Sequence, residues 1–220
     1  MEPSSLYYKT APLSTDDPAP HPLMVFLHGR GSNEDDLLEL VHYLPPQLLA
    51  VSVRAPYHYR YGGYTWFDLD ETFGINIEQL LDNCEAIGRC LEDVQKKYPI
   101  DPRCIFLFGF SMGAMMSLVI SLLKPGLFKG IIAHSGMLPQ NEMLHYLRKE
   151  AGGLFFFIAH GTHDPIVPVE LGREANLRLS EFCPNVTYRE YPIQHTICDE
   201  SLHDIALWLK NLSKSTDNAS

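Results

Sequence analysis

No run of apolar residues in this chain approaches the roughly 18 needed to cross a bilayer. The opening residues, Met1 to Leu6, lack a basic start followed by an apolar stretch, so no secretory signal is expected. Cysteine usage points the same way. The five cysteines (Cys84, Cys90, Cys104, Cys183 and Cys198) form no CxxC pair, and their odd number argues against a disulfide framework. Free thiols and a cytoplasmic location are the expectation. Basic residues are in the minority, 17 Lys and Arg against 27 Asp and Glu, for a formal net charge of −10. Such a balance disfavours nucleic acid as a partner and stable insertion into an anionic membrane. HExxH is also absent, as are internal repeats. His160, His163 and Asp164 come nearest to a ligand set, but three residues of one tight loop rarely enclose an ion without a second segment. No metal is expected.

What remains is 220 residues, 45% hydrophobic and 20% charged, the size of one α/β domain with one core over 1–220. The proline-rich stretch 10–22 belongs to an N-terminal arm, 1–22, that contributes at most a short strand. The small polar residues 213–220 read as a mobile tail. Between them, short apolar runs alternate with helical patterns. Strands are expected at Leu23 to Leu27, Leu49 to Arg54, Cys104 to Phe108, Gly130 to His134, Leu154 to His160 and Val186 to Tyr191. One helix is expected from Leu37, Leu38, Val41 and Leu44, and a longer one from the apolar spacing of Ile77 through Val94. Several strands are apolar almost throughout, the mark of burial on both faces. The fold class is therefore α/β: a mostly parallel central sheet flanked by helices on both faces.

Chemistry enters at Gly109-Phe110-Ser111-Met112-Gly113, which follows an apolar strand and precedes a helix. A serine on a sharp strand-to-helix turn needs small neighbours so that the backbone doubles back and exposes the hydroxyl. A serine hydroxyl is a weak nucleophile at neutral pH, so it needs a base and a group that orients the base. Asp164 follows the strand ending at His160, and His195 follows the strand ending at Tyr191. The order Ser111, Asp164, His195 is that of α/β-hydrolases. Among the ten histidines the competitors are weaker. His203 flanks the apolar stripe of the last helix, and His134 suits a structural role at a strand end, though it could reach the edge of the site. His28 suits bracing its loop rather than acid–base work.

Ester cleavage builds negative charge on the carbonyl oxygen, commonly received by two backbone N–H groups. Met112, after the nucleophile, supplies one; spacing in His28-Gly29-Arg30-Gly31 points to Arg30 for the other. The Arg30 side chain either pairs with Asp35 or Asp36, the favoured expectation, or binds an acidic substrate group.

Together these blocks, with Ala55-Pro56, Trp66-Phe67-Asp68 and the run from His160 to Pro168, resemble the phospholipase/carboxylesterase family of α/β-hydrolases, which includes acyl-protein thioesterases. The resemblance spans about residues 23 to 210 and lies closer to the bacterial carboxylesterase branch through Arg30 to Asp36. It implies a compact hydrolase with a minimal lid, acting on esters or thioesters of small to medium acyl chains without a cofactor. It carries over Ser111 as nucleophile, Asp164 as acid, His195 as base, and Arg30 and Met112 as oxyanion donors. Alternatives are thioesterase or lysophospholipase activity, or a ligand receptor on a hydrolase fold. Gln194, before the histidine, stands where the family commonly has glycine. Acyl-pocket candidates are Trp66, Phe67, Met112, Met137, Leu138, Ile166 and Val167, and each is equally able to serve as core. The aromatic segment from Tyr57 to Tyr64 either caps the site or forms a contact in a homodimer.

Overall fold

The computed structural model describes residues 6–11, 18–69, 74–139 and 153–217, the last five through their backbone alone. Seven strands build the main sheet: β1 (Tyr8–Ala11), β2 (His21–Leu27), β3 (Leu49–Val53), β6 (Ile100–Phe110), β7 (Gly130–His134), β8 (Phe155–Gly161) and β9 (Val186–Tyr191). Their order is β1-β3-β2-β6-β7-β8-β9. All neighbours are parallel except β1, which runs antiparallel to β3 at the edge. A two-stranded hairpin, β4 (Tyr57–His58) and β5 (Tyr64–Thr65), stands apart. The helices are α1 (Ile77–Lys97), α2 (Met112–Leu123), α3 (Val169–Ser180) and α4 (Asp199–Asp217).

The continuous apolar runs have the meaning expected of them. Along β2, Leu23, Val25 and Leu27 face one core with α1, α2 and α3, while Met24 and Phe26 face a second core with α4. Successive side chains of a strand point to opposite faces, so burial on both faces demands an unbroken apolar run. Each fully buried Phe or Leu here is worth about 1.5–3 kcal/mol of transfer free energy. Both layers therefore hold the sheet.

Three elements differ from the sequence reading. The segment Leu37–Tyr43 is a 3-10 helix rather than an α-helix, and it stops where Leu44 is driven to extended backbone before Pro45. β6 runs four residues earlier and two later than the apolar run Cys104 to Phe108, its first part lying at the exposed margin. The tail read from 213 onward is helical through Asp217, where α4 propagates past its last apolar contact; 218–220 lie outside the described residues. The expected N-terminal arm supplies β1, with 1–5 and 12–17 likewise outside.

Parallel register brings the functional strand ends level. Leu27 pairs with Gly109, Phe110 with His134, His134 with Ala159, and Gly161 with Tyr191. The loops carrying Arg30, Ser111, Asp164 and His195 thus leave from one edge of the sheet, the carboxyl edge where open α/β sheets bind ligands.

Candidate active site

Ser111 occupies backbone that L-residues rarely adopt, φ 54° and ψ −115°, at the junction of β6 and α2. Two glycines make that turn possible by close approach. A Cβ on Gly109 would strike the Gly113 backbone and the Ser117 hydroxyl, and one on Gly113 would strike the carbonyls of Leu27 and His28. The Ser111 N–H is tied to the His134 carbonyl at 2.9 Å. The strained turn is thereby held from both neighbouring strands.

His195 Nε2 lies 2.9 Å from Ser111 Oγ, and its Nδ1 lies 2.7 Å from Asp164 Oδ2. The other Asp164 oxygen accepts the N–H groups of Ile166 and Val167, at 2.8 and 2.9 Å. Burial works to raise the Asp164 pKa, but the hydrogen bonds from His195, Val167 and Ile166 outweigh it and leave the carboxyl below its ordinary value. It stays ionised at neutral pH. An ionised acceptor at Nδ1 fixes the tautomer with Nδ1–H donated, leaving the Nε2 lone pair for the serine proton.

The acid and histidine loops are built as one unit. Thr162 N–H donates to Tyr191 O at 2.8 Å and His163 N–H to Ile193 O at 3.0 Å. Gly161 packs so closely on the carbonyls of Ile193 and Gln194 that a Cβ there has no room. The close fit sits at Gly161, while Gln194 contributes its carbonyl.

Near Ser111, Met112 is the first residue of α2, where helix geometry provides no internal acceptor for its N–H. In the facing loop, the N–H groups of Gly31 and Ser32 are spent on Tyr64 O (2.8 Å) and Gly29 O (3.2 Å). Among the described residues, neither Arg30 N–H nor Met112 N–H has a protein acceptor. The loop is braced from below. Ala55 N–H donates to His28 Nε2 at 3.1 Å, and His28 Nδ1 donates to Gly29 O at 2.7 Å. Burial lowers the His28 pKa, so the ring is the neutral brace its position suggested.

The Arg30 side chain departs from the favoured ion pair. Asp35 takes Lys9 at 2.7 Å and Asp36 accepts the Ser32 hydroxyl at 2.7 Å, while the Arg30 guanidinium stacks 5.3 Å from the Tyr59 ring centroid. Glu34, 1% exposed, pairs with Arg54 at 2.5 and 2.6 Å and anchors the same loop to the end of β3. The pocket candidates divide. Trp66 is fully buried core, and its indole donates to His28 O at 2.9 Å, which supports the loop. Phe67 is also buried but lines a cavity beside Arg30. Met112, Met137, Leu138 and Val167 are buried in the core on the α2 side, and Ile166 is 52% exposed beside Asp164.

Two residues near the site were not assigned to it from sequence. Phe110, the variable position of the pentapeptide, places its ring 5.0 Å from that of His195. His160 donates from Nε2 to Val167 O at 2.8 Å and lies 3.6 Å from Asp164 Oδ2. No spacing rule marks either one. His134 has the structural role expected, buried between the hydroxyls of Ser135 and Ser201 at 3.0 and 3.2 Å. His203 lines a separate groove with Tyr43 and Leu207. Among the described residues, no group of His, Cys, Asp and Glu is arranged to hold a metal ion.

A parallel sheet with a serine on a strained turn at its carboxyl edge and an acid and histidine from later loops defines the α/β-hydrolase class. Within it, the chain belongs to the phospholipase/carboxylesterase family, whose model matches residues 11–213. It is 26% identical over 215 residues to acyl-protein thioesterase 1 of Candida albicans, covering 86% of this chain and 91% of that protein. A carboxylesterase of Bacillus cereus superposes with a TM-score of 0.83 at 24% identity, over 94% of each chain. The esterase PE8 does so with a TM-score of 0.82 at 27% identity, over 95% of this chain and 100% of its own.

Proposed function

We propose that this chain is a single-unit serine hydrolase that cleaves carboxylic esters, and thioesters with them, through an acyl-enzyme. The carrying observation is the unbroken chain of contacts from Ser111 Oγ to His195 at 2.9 Å and from His195 to Asp164 at 2.7 Å. His195 Nε2 takes the Ser111 proton as Oγ attacks the acyl carbon. Asp164 holds the ring and stabilises the imidazolium without itself becoming protonated. The oxyanion is received by the N–H groups of Arg30 and Met112, a preorganised pair of which each donor is worth about 2.7–4 kcal/mol in comparable sites. Collapse expels the alcohol or thiol with the proton from His195, and water repeats the sequence on the acyl-enzyme. No step calls for a cofactor.

The reading extends to a cytoplasmic location, supported by five cysteines that form no disulfide among the described residues and by the absence, among those residues, of any helix long and apolar enough to cross a membrane. Hydrolysis of acylated protein or lysophospholipid is the second reading, the first supported by the Candida relative's name and the other by that of a mouse relative, lysophospholipase-like protein 1.

Rapid labelling of Ser111 by a fluorophosphonate, and loss of p-nitrophenyl ester turnover in folded Ser111→Ala, are expected. Turnover retained in that variant overturns Ser111 as the nucleophile, and no labelling of folded protein overturns the hydrolase reading in favour of a receptor. A panel of esters and thioesters from acetyl to palmitoyl separates the esterase and lipid-directed readings.

A further inference from the structure

Beside the proposed oxyanion site lies a cavity of about 310 Å³ that no step of the hydrolysis uses. The β4–β5 hairpin forms one wall and the Arg30 loop another. The walls are tied together, because Gly31 N–H donates to Tyr64 O and Tyr64 N–H to Ser32 O, each at 2.8 Å. Thr65, also on the lining, places its hydroxyl 3.2 Å from the sulfur of Met112, the residue after Ser111. The cavity is therefore lined by Arg30 and reaches the Met112 side chain through Thr65.

Two arginines line this cavity, Arg30 and Arg60. Arg30 lies 5.3 Å from the Tyr59 ring centroid and Arg60 4.6 Å from that of Tyr61. A cation–π contact uses no hydrogen-bond acceptor, so each guanidinium keeps N–H donors for an anion. Several cations elsewhere have acids, Arg54 with Glu34, Lys124 with Glu85 and Arg173 with Glu190, while others go to neutral acceptors, Lys97 to the Tyr8 hydroxyl and Arg189 to the Tyr188 carbonyl. Among the described residues, Arg30 and Arg60 pair with no carboxylate. Asp68, the acid on the described lining, is held by Gln79, whose Nε2 donates to it at 3.0 Å. With Asp68 still charged on the same lining, the two cations leave the described lining one net positive charge, in a chain of net charge −10.

We propose that this cavity receives a carboxylate of the substrate, bound by Arg30 and Arg60, so that the enzyme selects esters carrying a negative charge near the scissile bond. The proposal rests on the hydrolase reading and names the substrate class of that same site. An Arg fork matches a carboxylate in two parallel hydrogen bonds, whereas the aromatic floor and walls alone would favour a neutral group.

Two matched pairs of esters test it with the full chain. Mono-p-nitrophenyl glutarate against p-nitrophenyl valerate places the charge on the acyl side; 4-acetoxybenzoate against its methyl ester places it on the alcohol side. In at least one pair the wild type is expected to favour the charged ester by about tenfold or more in kcat/KM, chiefly through KM. Arg60→Gln is expected to bring that ratio down about tenfold, as is raising the salt to about 0.5 M in the wild type. Arg30→Gln serves as a second variant on the same ratio, which cancels any general loss of rate. No preference in either pair, or a preference that survives Arg60→Gln, overturns the carboxylate site while neutral-ester turnover leaves the hydrolase reading standing. If neither pair is hydrolysed and Ser111 is not labelled, the hydrolase reading has failed. Titration calorimetry with glutarate then decides, since binding lost in Arg60→Gln supports the site and no binding to wild type overturns it.

Discussion

Asp164 and His195 stand 31 residues apart in the chain and meet at 2.7 Å, each at the end of a loop whose backbone is hydrogen-bonded to the other. Asp164→Asn keeps the size and shape but replaces an acceptor with an amide that favours the wrong histidine tautomer. The variant is expected to fold and to lose about 10³–10⁴-fold in kcat on a p-nitrophenyl ester. Stopped-assay kinetics with circular dichroism as the folding control measure it; a loss under tenfold would remove Asp164 from its proposed role.

The elbow depends on Gly113 for contact, not only for flexibility. Its added Cβ would press on the Leu27 and His28 carbonyls, which belong to the strand end that feeds the Arg30 loop. Gly113→Ala is expected to cost about 2–4 kcal/mol of stability, as overpacked sites do, and to lower kcat as well. Chemical denaturation reads the first and ester kinetics the second.

Glu34 is nearly inaccessible and donates nothing to the reaction, yet it fastens the Arg30 loop to Arg54. The Arg54 guanidinium, by its hydrogen bonds, holds the Glu34 carboxyl down to about 2. Removing one partner of a buried pair leaves the other uncompensated, so Glu34→Gln is expected to destabilise by about 2–4 kcal/mol, at the lower side of the buried range because Arg54 reaches solvent. A depressed carboxylate stabilises above its unfolded pKa and loses that contribution as pH falls toward the folded value. The difference in denaturation midpoint between wild type and Glu34→Gln should accordingly shrink between about pH 4.5 and pH 2.

His134 carries a different pH signature. Burial lowers its pKa to about 3, and burial lowers those of His28 and His160 too. Below about pH 6.5 the unfolded chain binds protons at these rings that the folded chain refuses, so stability falls as pH falls. Thermal midpoints should drop from pH 7 to pH 5, a window above the titration of the depressed carboxylates. His134→Gln, which keeps a partner for Ser135 and Ser201, is expected to flatten that slope by up to about 1.4 kcal/mol per pH unit. An unchanged slope would show that the ring titrates normally in the native state.

The sheet was legible because its strands carry unbroken apolar runs, and burial on both faces admits hardly any other pattern. The hairpin was not. β4 and β5 have two residues each, too short for any periodicity, and they exist because Gly31 and Ser32 offer Tyr64 a backbone to pair with. The 3-10 segment carried a helical apolar spacing, but the prolines after it decided how it ends. Trp66 shows the limit for pockets: an apolar residue at a strand-end loop reads the same whether it faces substrate or, as here, braces the His28 carbonyl.

By itself the sequence determined the fold class, the chain order of Ser111, Asp164 and His195 at successive strand ends, and the need for glycine at positions 109 and 113, because each depends on local pattern or backbone sterics. Tertiary structure alone decided that Asp35 goes to Lys9 and Glu34 to Arg54, leaving Arg30 stacked on Tyr59 beside a cavity it shares with Arg60. Side-chain partners at the surface are chosen by distance in space, and distances between strand ends are set only once the sheet has brought them level.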